Sequence, residues 1–430
     1  MKARFVCSLI LFLLCSLGPL SLADDILRGG FAKVDITPSQ PVTLSGYANR
    51  KELSTGVHDS LSARISVFQS NENKLVLVST DVIGFYSGTD KIIRRAIWQE
   101  FDLQPEELFL SAIHTHAGPS ITLNTERGHP NNVVYTQQLQ KQLIKGIRGA
   151  MSEMFPVQIG MGKGSSPVGV NRRQVYYDEQ GNPRMWIGRN PDGAHDNEVT
   201  VLKVTQNQDK TVAVLWDYAT HSTALGWENF SISGDVHGLA EQFIETYLGA
   251  PIIAPAFVGA SGDIDPWYRV LPGFETKNGW IPEPVLMGVM LGEEVVHVLH
   301  SIDTTVVMGE ISAIYETLEL PGKPSGEFTT PEDHPPVPLN VTVAKIGNIA
   351  WVGLGAEVTC EIGMAIKQAS PFDCTMIVTH CNGTADYIPS QHLYVQQGYE
   401  VKSSPFASTA ADLLIKRVVT LLHQIEDTEL

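Results

Sequence analysis

The chain has 430 residues, 43% of them hydrophobic, and a formal charge of −17. That length permits up to three domains, and that apolar fraction can fill a core. So acidic a chain, with no run of Lys or Arg, repels phosphate backbones and excludes nucleic acid as a natural partner; the charge reads as a solubility feature.

Residues 1–23 read as a secretory signal. Lys2 and Arg4 form a positive start, 5–20 is apolar, and Ser21-Leu22-Ala23 offers a small-residue cleavage site. The apolar run is too short for a transmembrane anchor, and no later stretch approaches that length. Leu14 before Cys15 argues against a lipoprotein. The expected product is an exported protein, periplasmic or secreted, of residues 24–430. Losing Lys2 and Arg4 takes the charge from −17 to −19. Cys7 and Cys15 also leave, so Cys360, Cys374 and Cys381 remain. Cys374 could pair with Cys381, or Cys360 with either; three cysteines are far from a disulfide scaffold, so a core must hold the fold.

Short apolar runs predict strands at 74–79, 108–113, 213–218, 252–257 and 349–354. Helical periodicity covers 91–101, 134–151, 237–248, 285–300, 359–368 and 409–423. The alternation predicts an α/β fold, a layered mixed β-sheet domain with flanking helices. Hairpin-like stretches at 157–190 and 305–320 supply the antiparallel share. No internal repeat is evident. The Pro-rich segment 320–338 is the nearest thing to a linker, but candidate site residues fall on both sides of it. It therefore reads as a loop within a single catalytic domain spanning 24–430.

Four predicted strands end on chemically loaded residues. The strand 108–113 runs into His114-Thr115-His116, and 213–218 into Ala219-Thr220-His221. The strand 252–257 runs into Gly262-Asp263-Ile264-Asp265-Pro266, and 349–354 into Gly355-Ala356-Glu357. In open α/β sheets chemistry collects beyond the carboxyl ends of strands. His114 and His116 are two apart, so they share a face while the chain stays extended. His, His and Glu from separate strand ends form a common zinc set, and the absence of cysteine there disfavours a closed structural site. Oxygen and nitrogen donors also suit other divalent metals.

The order of these segments resembles the neutral (non-lysosomal) ceramidase family. The resemblance rests on Gly30 to Thr37, Gly46-Tyr47-Ala48, His114 to Pro119, Asn171-Arg172, Ala219-Thr220-His221 with Ser233-Gly234-Asp235, Gly355 to Thr359, and Asn382 to Ile388 followed by Gly398-Tyr399-Glu400. It spans about 28 to 420. It implies one zinc per chain held by His114, His221, Glu357 and Tyr387, with His116 and Arg172 binding or polarising the scissile group. It also implies an N-terminal catalytic domain of that family; as a departure, the family's immunoglobulin-like C-terminal domain is expected to be lacking. One departure concerns chemistry: the family's Gly-Asp-Val-Ser-Pro is here Gly262 to Pro266, with Asp265 in place of the Ser.

The expected activity is that of a zinc-dependent amidase in which a metal-activated water attacks an acyl carbon. His116 and Arg172 would stabilise the oxyanion. Asp265 would serve as general base or as a substrate hydrogen-bond partner, against a structural use before Pro266; Asp263 reads as a loop tie. Two other readings stand beside this one. In the first, the hydrolase takes a carbohydrate derivative or an ester, so that the small-molecule substrate is lipid-like or sugar-like. In the second, the metal-containing protein binds a ligand without turnover. Trp186, Trp227, Trp267 and Tyr268 would line a substrate channel, with core packing expected for at least half of them. His297 and His300 read as ordinary helix histidines, and His129, His195 and His334 as solvated.

Overall fold

The computed structural model describes residues 26–86, 88–207, 210–269, 282–302, 309–323 and 335–427. The expected signal segment and His334 lie outside the described residues.

Three sheets share one plan. In the first, Arg28–Asp35 pairs antiparallel with Ser62–Ser70, which pairs antiparallel with Asn73–Thr80. Helix Thr89–Phe101 then returns the chain to Leu108–Ala112, parallel to Asn73–Thr80. The second runs Gln158–Ser165, Glu198–Gln206, Lys210–Tyr218, helix Asp235–Leu248, then Ala256–Val258 parallel to Lys210–Tyr218. The third runs Ile311–Pro321, Pro336–Ile346, Ile349–Leu354, helix Cys360–Ala369, then Cys374–Val378 parallel to Ile349–Leu354. Each ends in a β-α-β crossover, which needs a helix because parallel neighbours cannot be joined by a tight turn. The α/β class holds, and the antiparallel share comes from the first three strands of each sheet.

Period-two alternation explains why the central strands read as unbroken apolar runs: both faces are buried. Leu75, Leu77 and Phe109 from the first sheet meet Leu202, Val204 and Leu215 from the second and Ala344, Trp351 and Met376 from the third in one common core. The alternate residues face outward against helices. Val76 and Val78 meet Leu139, Leu143 and Ile147 of helix Pro130–Ser152. Val201 and Val214 meet Ala240 together with Leu291 and Val295 of helix Pro282–Ser301. Val343 and Val352 meet Ile366 together with Leu414 and Val418 of helix Ala410–Glu426. Each such side chain contributes about 1.5–3 kcal/mol by leaving water. Truncating Trp351, fully buried in the shared core, would cost about 3–5 kcal/mol.

Several expectations need correction. The strand predicted at 252–257 is short, Ala256–Val258, with Ile253 touching Ala213 through a lone bridge. The stretch 157–190 contains one hairpin, Gly169–Tyr177 with Pro183–Asn190, while Gln158–Ser165 pairs elsewhere. Ile311–Pro321 is one long strand whose hairpin partner is Pro336–Ile346, so the Pro-rich segment joins two neighbouring strands of one sheet. Cys360, Cys374 and Cys381 are each buried and free, so none of the possible pairings forms. Trp186, Trp227 and Tyr268 are exposed, and only Trp267 packs against a core cluster.

The plan matters because parallel neighbours end on the same side. Asn73–Thr80 and Leu108–Ala112 deliver Asp81 and His114. Lys210–Tyr218 and Ala256–Val258 deliver His221 and the turn to Asp265, and Ile349–Leu354 and Cys374–Val378 deliver Glu357 and His380. The three crossover strands touch one another there. Thr379 N–H donates to Val258 O at 2.9 Å, and Asn382 holds Leu110 by two bonds, N–H to its carbonyl at 2.9 Å and Oδ1 from its N–H at 3.0 Å.

Candidate metal centre

His114, His221 and Glu357 converge. Glu357 Oε2 lies 3.5 Å from His114 Nε2 and 3.4 Å from His221 Nε2, and His116 Nε2 lies 3.3 Å from His114 Nε2. The chain does not stay extended to achieve this. The strand ends at Ala112, and His114 adopts a left-handed backbone at φ 56°. The two imidazoles of the His-Thr-His block therefore meet across a turn, an arrangement unlike the shared strand face expected from spacing. Thr115 bridges Ser222 in parallel fashion, and His116 N–H donates to Ser222 O at 3.0 Å, which fastens this block to the segment carrying His221. Glu357–Val358 pairs in parallel with Tyr387–Ile388, so the register sets Glu357 beside Tyr387.

The backbone is costly to hold here. His380, Asn382 and Asp386 share the left-handed conformation with His114, at φ 51°, 58° and 56°. His, Asn and Asp tolerate it better than most residues, yet each costs on the order of 1 kcal/mol or more. Such clusters mark sites where geometry outweighs local comfort.

Both convergent imidazoles are oriented through their other nitrogen. His114 Nδ1 bonds Ile83 O at 2.8 Å, and His221 Nδ1 bonds Ser261 O at 2.8 Å and Ile264 O at 3.0 Å. These carbonyls take an N–H and so leave Nε2 as a lone-pair donor aimed inward, the usual support of a metal-bound histidine. Burial holds His221 below its ordinary pKa, assisted by Arg172. Burial, then His114 and His221, push His116 well down. Burial pushes Glu357 up, but His114 and the other imidazoles outweigh it and hold the carboxyl well below its usual range. His116 and His221 held below their ordinary range, and Glu357 held ionised, suit the lone pairs and the charge that a cation requires.

Three polar atoms in this cluster are buried without a hydrogen-bond partner: Glu357 Oε2, His116 Nδ1 and His380 Nε2. An orphaned buried carboxylate oxygen is expensive. Donors about 2.0–2.2 Å from a tetrahedral ion stand roughly 3.3–3.5 Å from one another, which matches the observed spacings. The residues fit a zinc-sized cation.

Arg172 forms the opposite wall. Its Nη1 lies 3.3 Å from His221 Nε2 and 3.2 Å from Asp265 Oδ1, its Nη2 donates to Tyr387 O–H at 3.3 Å, and its Nε donates to Glu400 at 2.9 Å. Asp265 reaches Arg189 through its second oxygen at 3.4 Å. Burial raises the Asp265 carboxyl, yet Arg172 and then His221 and Arg189 win and hold it below the usual range. Asp263 accepts from Cys360 N–H at 2.8 Å and from Asn171 Nδ2 at 3.0 Å, a loop tie as expected, with burial pushing its pKa up to about 6.

The seven residues expected at the site lie near one another: His114, His116, His221 and Glu357 converge, Tyr387 sits in register with Glu357, and Arg172 and Asp265 form the opposite wall. Sequence reasoning missed His380 and Tyr86, and named Glu400 within a resemblance segment without giving it a role. The His380 ring stacks on His114 at 3.7 Å between centroids; the ligand atoms of His114, His116 and His221 lie close enough together to hold a metal, and so do those of His114, Glu357 and His380. Its signal was available: Met376-Ile377-Val378 followed by Thr379-His380 is another strand end. Tyr86 lies against Glu357, and burial with that carboxylate keeps its hydroxyl protonated. Glu400 pairs with both Arg172 and Arg173.

Comparison with known proteins bears on the family and the fold. The family described as neutral/alkaline non-lysosomal ceramidase, N-terminal, matches residues 28–264, more than half of the chain. Among curated proteins the chain is similar to neutral ceramidase 1 of Arabidopsis thaliana, 30% identical over 252 residues, covering 56% of this chain and 32% of that protein. It is similar to the neutral ceramidase of Pseudomonas aeruginosa, 25% identical over 285 residues, covering 63% of this chain and 42% of that protein. The matched stretches thus span less than half of these relatives. The crystal structure of neutral ceramidase from Pseudomonas aeruginosa superposes with a TM-score of 0.77 at 17% identity, covering 95% of this chain and 76% of that one.

Proposed function

The chain belongs to the neutral/alkaline non-lysosomal ceramidase family, and on that premise we propose that it is a zinc-dependent hydrolase of N-acyl amide bonds. The observation that carries this reading is the convergence of His114 Nε2, His221 Nε2 and the unpartnered Glu357 Oε2 within 3.4–3.5 Å. These three residues, with Tyr387 beside Glu357, would hold the ion. When bound, zinc supplies Lewis acidity and lowers the pKa of water toward 7.

The remaining groups bind and orient. Arg172 turns two donors toward the cluster and is locked by Asp265 and Glu400, so its charge is fixed before substrate arrives. With His116 it faces the place where an acyl oxygen would gain charge, and each such donor is worth about 3–4 kcal/mol. In hydrolysis water adds to the acyl carbon, the C–N bond breaks, and the proton goes to the leaving amine. Asp265 acts through Arg172: both its oxygens face guanidinium groups, and a carboxyl held below its usual range is a weak base. Export through residues 1–23 is part of this proposal, supported by the leader pattern of the sequence. No helix among the described residues is long and apolar enough to cross a membrane.

The test is a panel of N-acyl amides, esters and acylated sugars with metal-loaded protein, scoring free amine, alcohol or sugar. Release of amine that stops with a chelator and returns with zinc is the expected result. Turnover of the ester or sugar compounds alone, or saturable binding with no turnover, would replace this reading with one of the two weighed above.

A further inference from the structure

Resting on that hydrolase reading, we propose that the substrate carries an anionic group, a carboxylate or sulfonate, held in the cavity beside the metal centre. The cavity, about 820 Å³, adjoins the centre through three lining residues. The Ile83 carbonyl accepts from His114, Tyr86 lies against Glu357, and Gly46 presses so close to the His116 ring that a Cβ there would stand 2.4 Å from it.

The lining has a sign. The chain holds 47 acidic and 30 basic residues, yet no Asp or Glu lines this cavity, while Arg50, Lys51 and Arg127 do. Arg50 is only 6% exposed. Its guanidinium donates to the backbone carbonyls of Ser45, His116 and Asn229, and its Nε is buried without a partner. No carboxylate offsets it among the described residues, and burial lowers its pKa to about 10. A buried cation without a counter-charge is costly. An anion entering from solvent would supply the missing charge. Ser45, Ser120 and Thr122 add hydroxyls to the same wall, which suits a polar head better than a long alkyl chain. A second cavity of about 520 Å³ is lined by Arg173, Arg184, Asp263 and Glu361, so it carries both signs.

The experiment compares N-butanoylglycine with its uncharged amide, N-butanoylglycinamide, by titration calorimetry and by kcat/KM on full-length, zinc-loaded protein. N-butanoyltaurine serves as the sulfonate arm. The carboxylate should bind about tenfold more tightly than the amide, and the gap should collapse in the Lys51→Glu/Arg127→Glu double variant and at high salt. The taurine arm shows whether one anion or both are accepted. Equal affinities for acid and amide, or a gap that survives both the double variant and Arg50→Gln in folded protein, would overturn the proposal. An anion preference in binding with no compound cleaved would leave the cavity assignment standing and sink the hydrolase reading instead.

Discussion

Gly46→Ala is the most informative single substitution. Gly46 sits at φ 97°, a conformation that costs a residue with a Cβ on the order of 1–2 kcal/mol. The added Cβ would lie 2.4 Å from His116 Cγ and Nδ1, where apolar contact begins near 3.5 Å. The ring must therefore retreat by about 1 Å, and displacements of that size cost up to about 10²-fold in rate. The three atoms nearest the added Cβ all belong to His116, whose Nε2 stands 3.3 Å from His114 Nε2. Zinc content, kcat/KM on the best amide and the urea midpoint should be measured on one preparation. The expected outcome is full zinc, a rate lowered by about 10- to 100-fold, and a midpoint lowered by the equivalent of about 1–2 kcal/mol. A folded variant with undiminished rate would refute the role of His116. Loss of zinc in step with rate would mean that His116 is a ligand or that its ring holds His114 in place.

Asp265→Asn should keep its zinc and lose about tenfold in kcat with little change in KM, because it frees Arg172 and removes no proton acceptor; a loss of 10²-fold or more would restore the general-base role. Asp217 is buried, with Lys367 3.8 Å away, and burial raises its pKa to about 6 from the ordinary 3.9. Since the folded value lies above the unfolded one, its contribution is fully present below about pH 4 and lost as pH rises through 6, a swing of about 3 kcal/mol. Asp217→Asn should thus raise the urea midpoint more at pH 8 than at pH 5, and an equal shift at both would contradict the assignment.

What the sequence disclosed follows from where burial is two-sided. Strands such as Asn73–Thr80 and Ile349–Leu354 bury both faces, so they read as apolar runs, and the loaded residues just beyond them stand out. His380 was overlooked although its strand, Cys374–Val378, is a short buried run ending like the others, because the run is only five residues long. Tyr86 and Glu400 approach the centre from surrounding loops and a short helix, and no local pattern marks that approach. The threefold sheet plan left no visible repeat because a strand buried on both faces needs only apolar residues, and any apolar residue satisfies it. Spacing placed His114 beside His116 for the wrong reason: the left-handed turn at His114 depends on contacts with Ile83 and Ser222 that are distant in sequence.

The account turns on a metal held by His114, His221 and Glu357. Elemental mass spectrometry of untagged protein reconstituted with zinc and then desalted, beside His114→Ala and Glu357→Gln checked for fold by circular dichroism, tests it directly. About one zinc per wild-type chain, and almost none in either folded variant, is the predicted result. Zinc retained by both variants, or absent from the wild type, would contradict the centre described above.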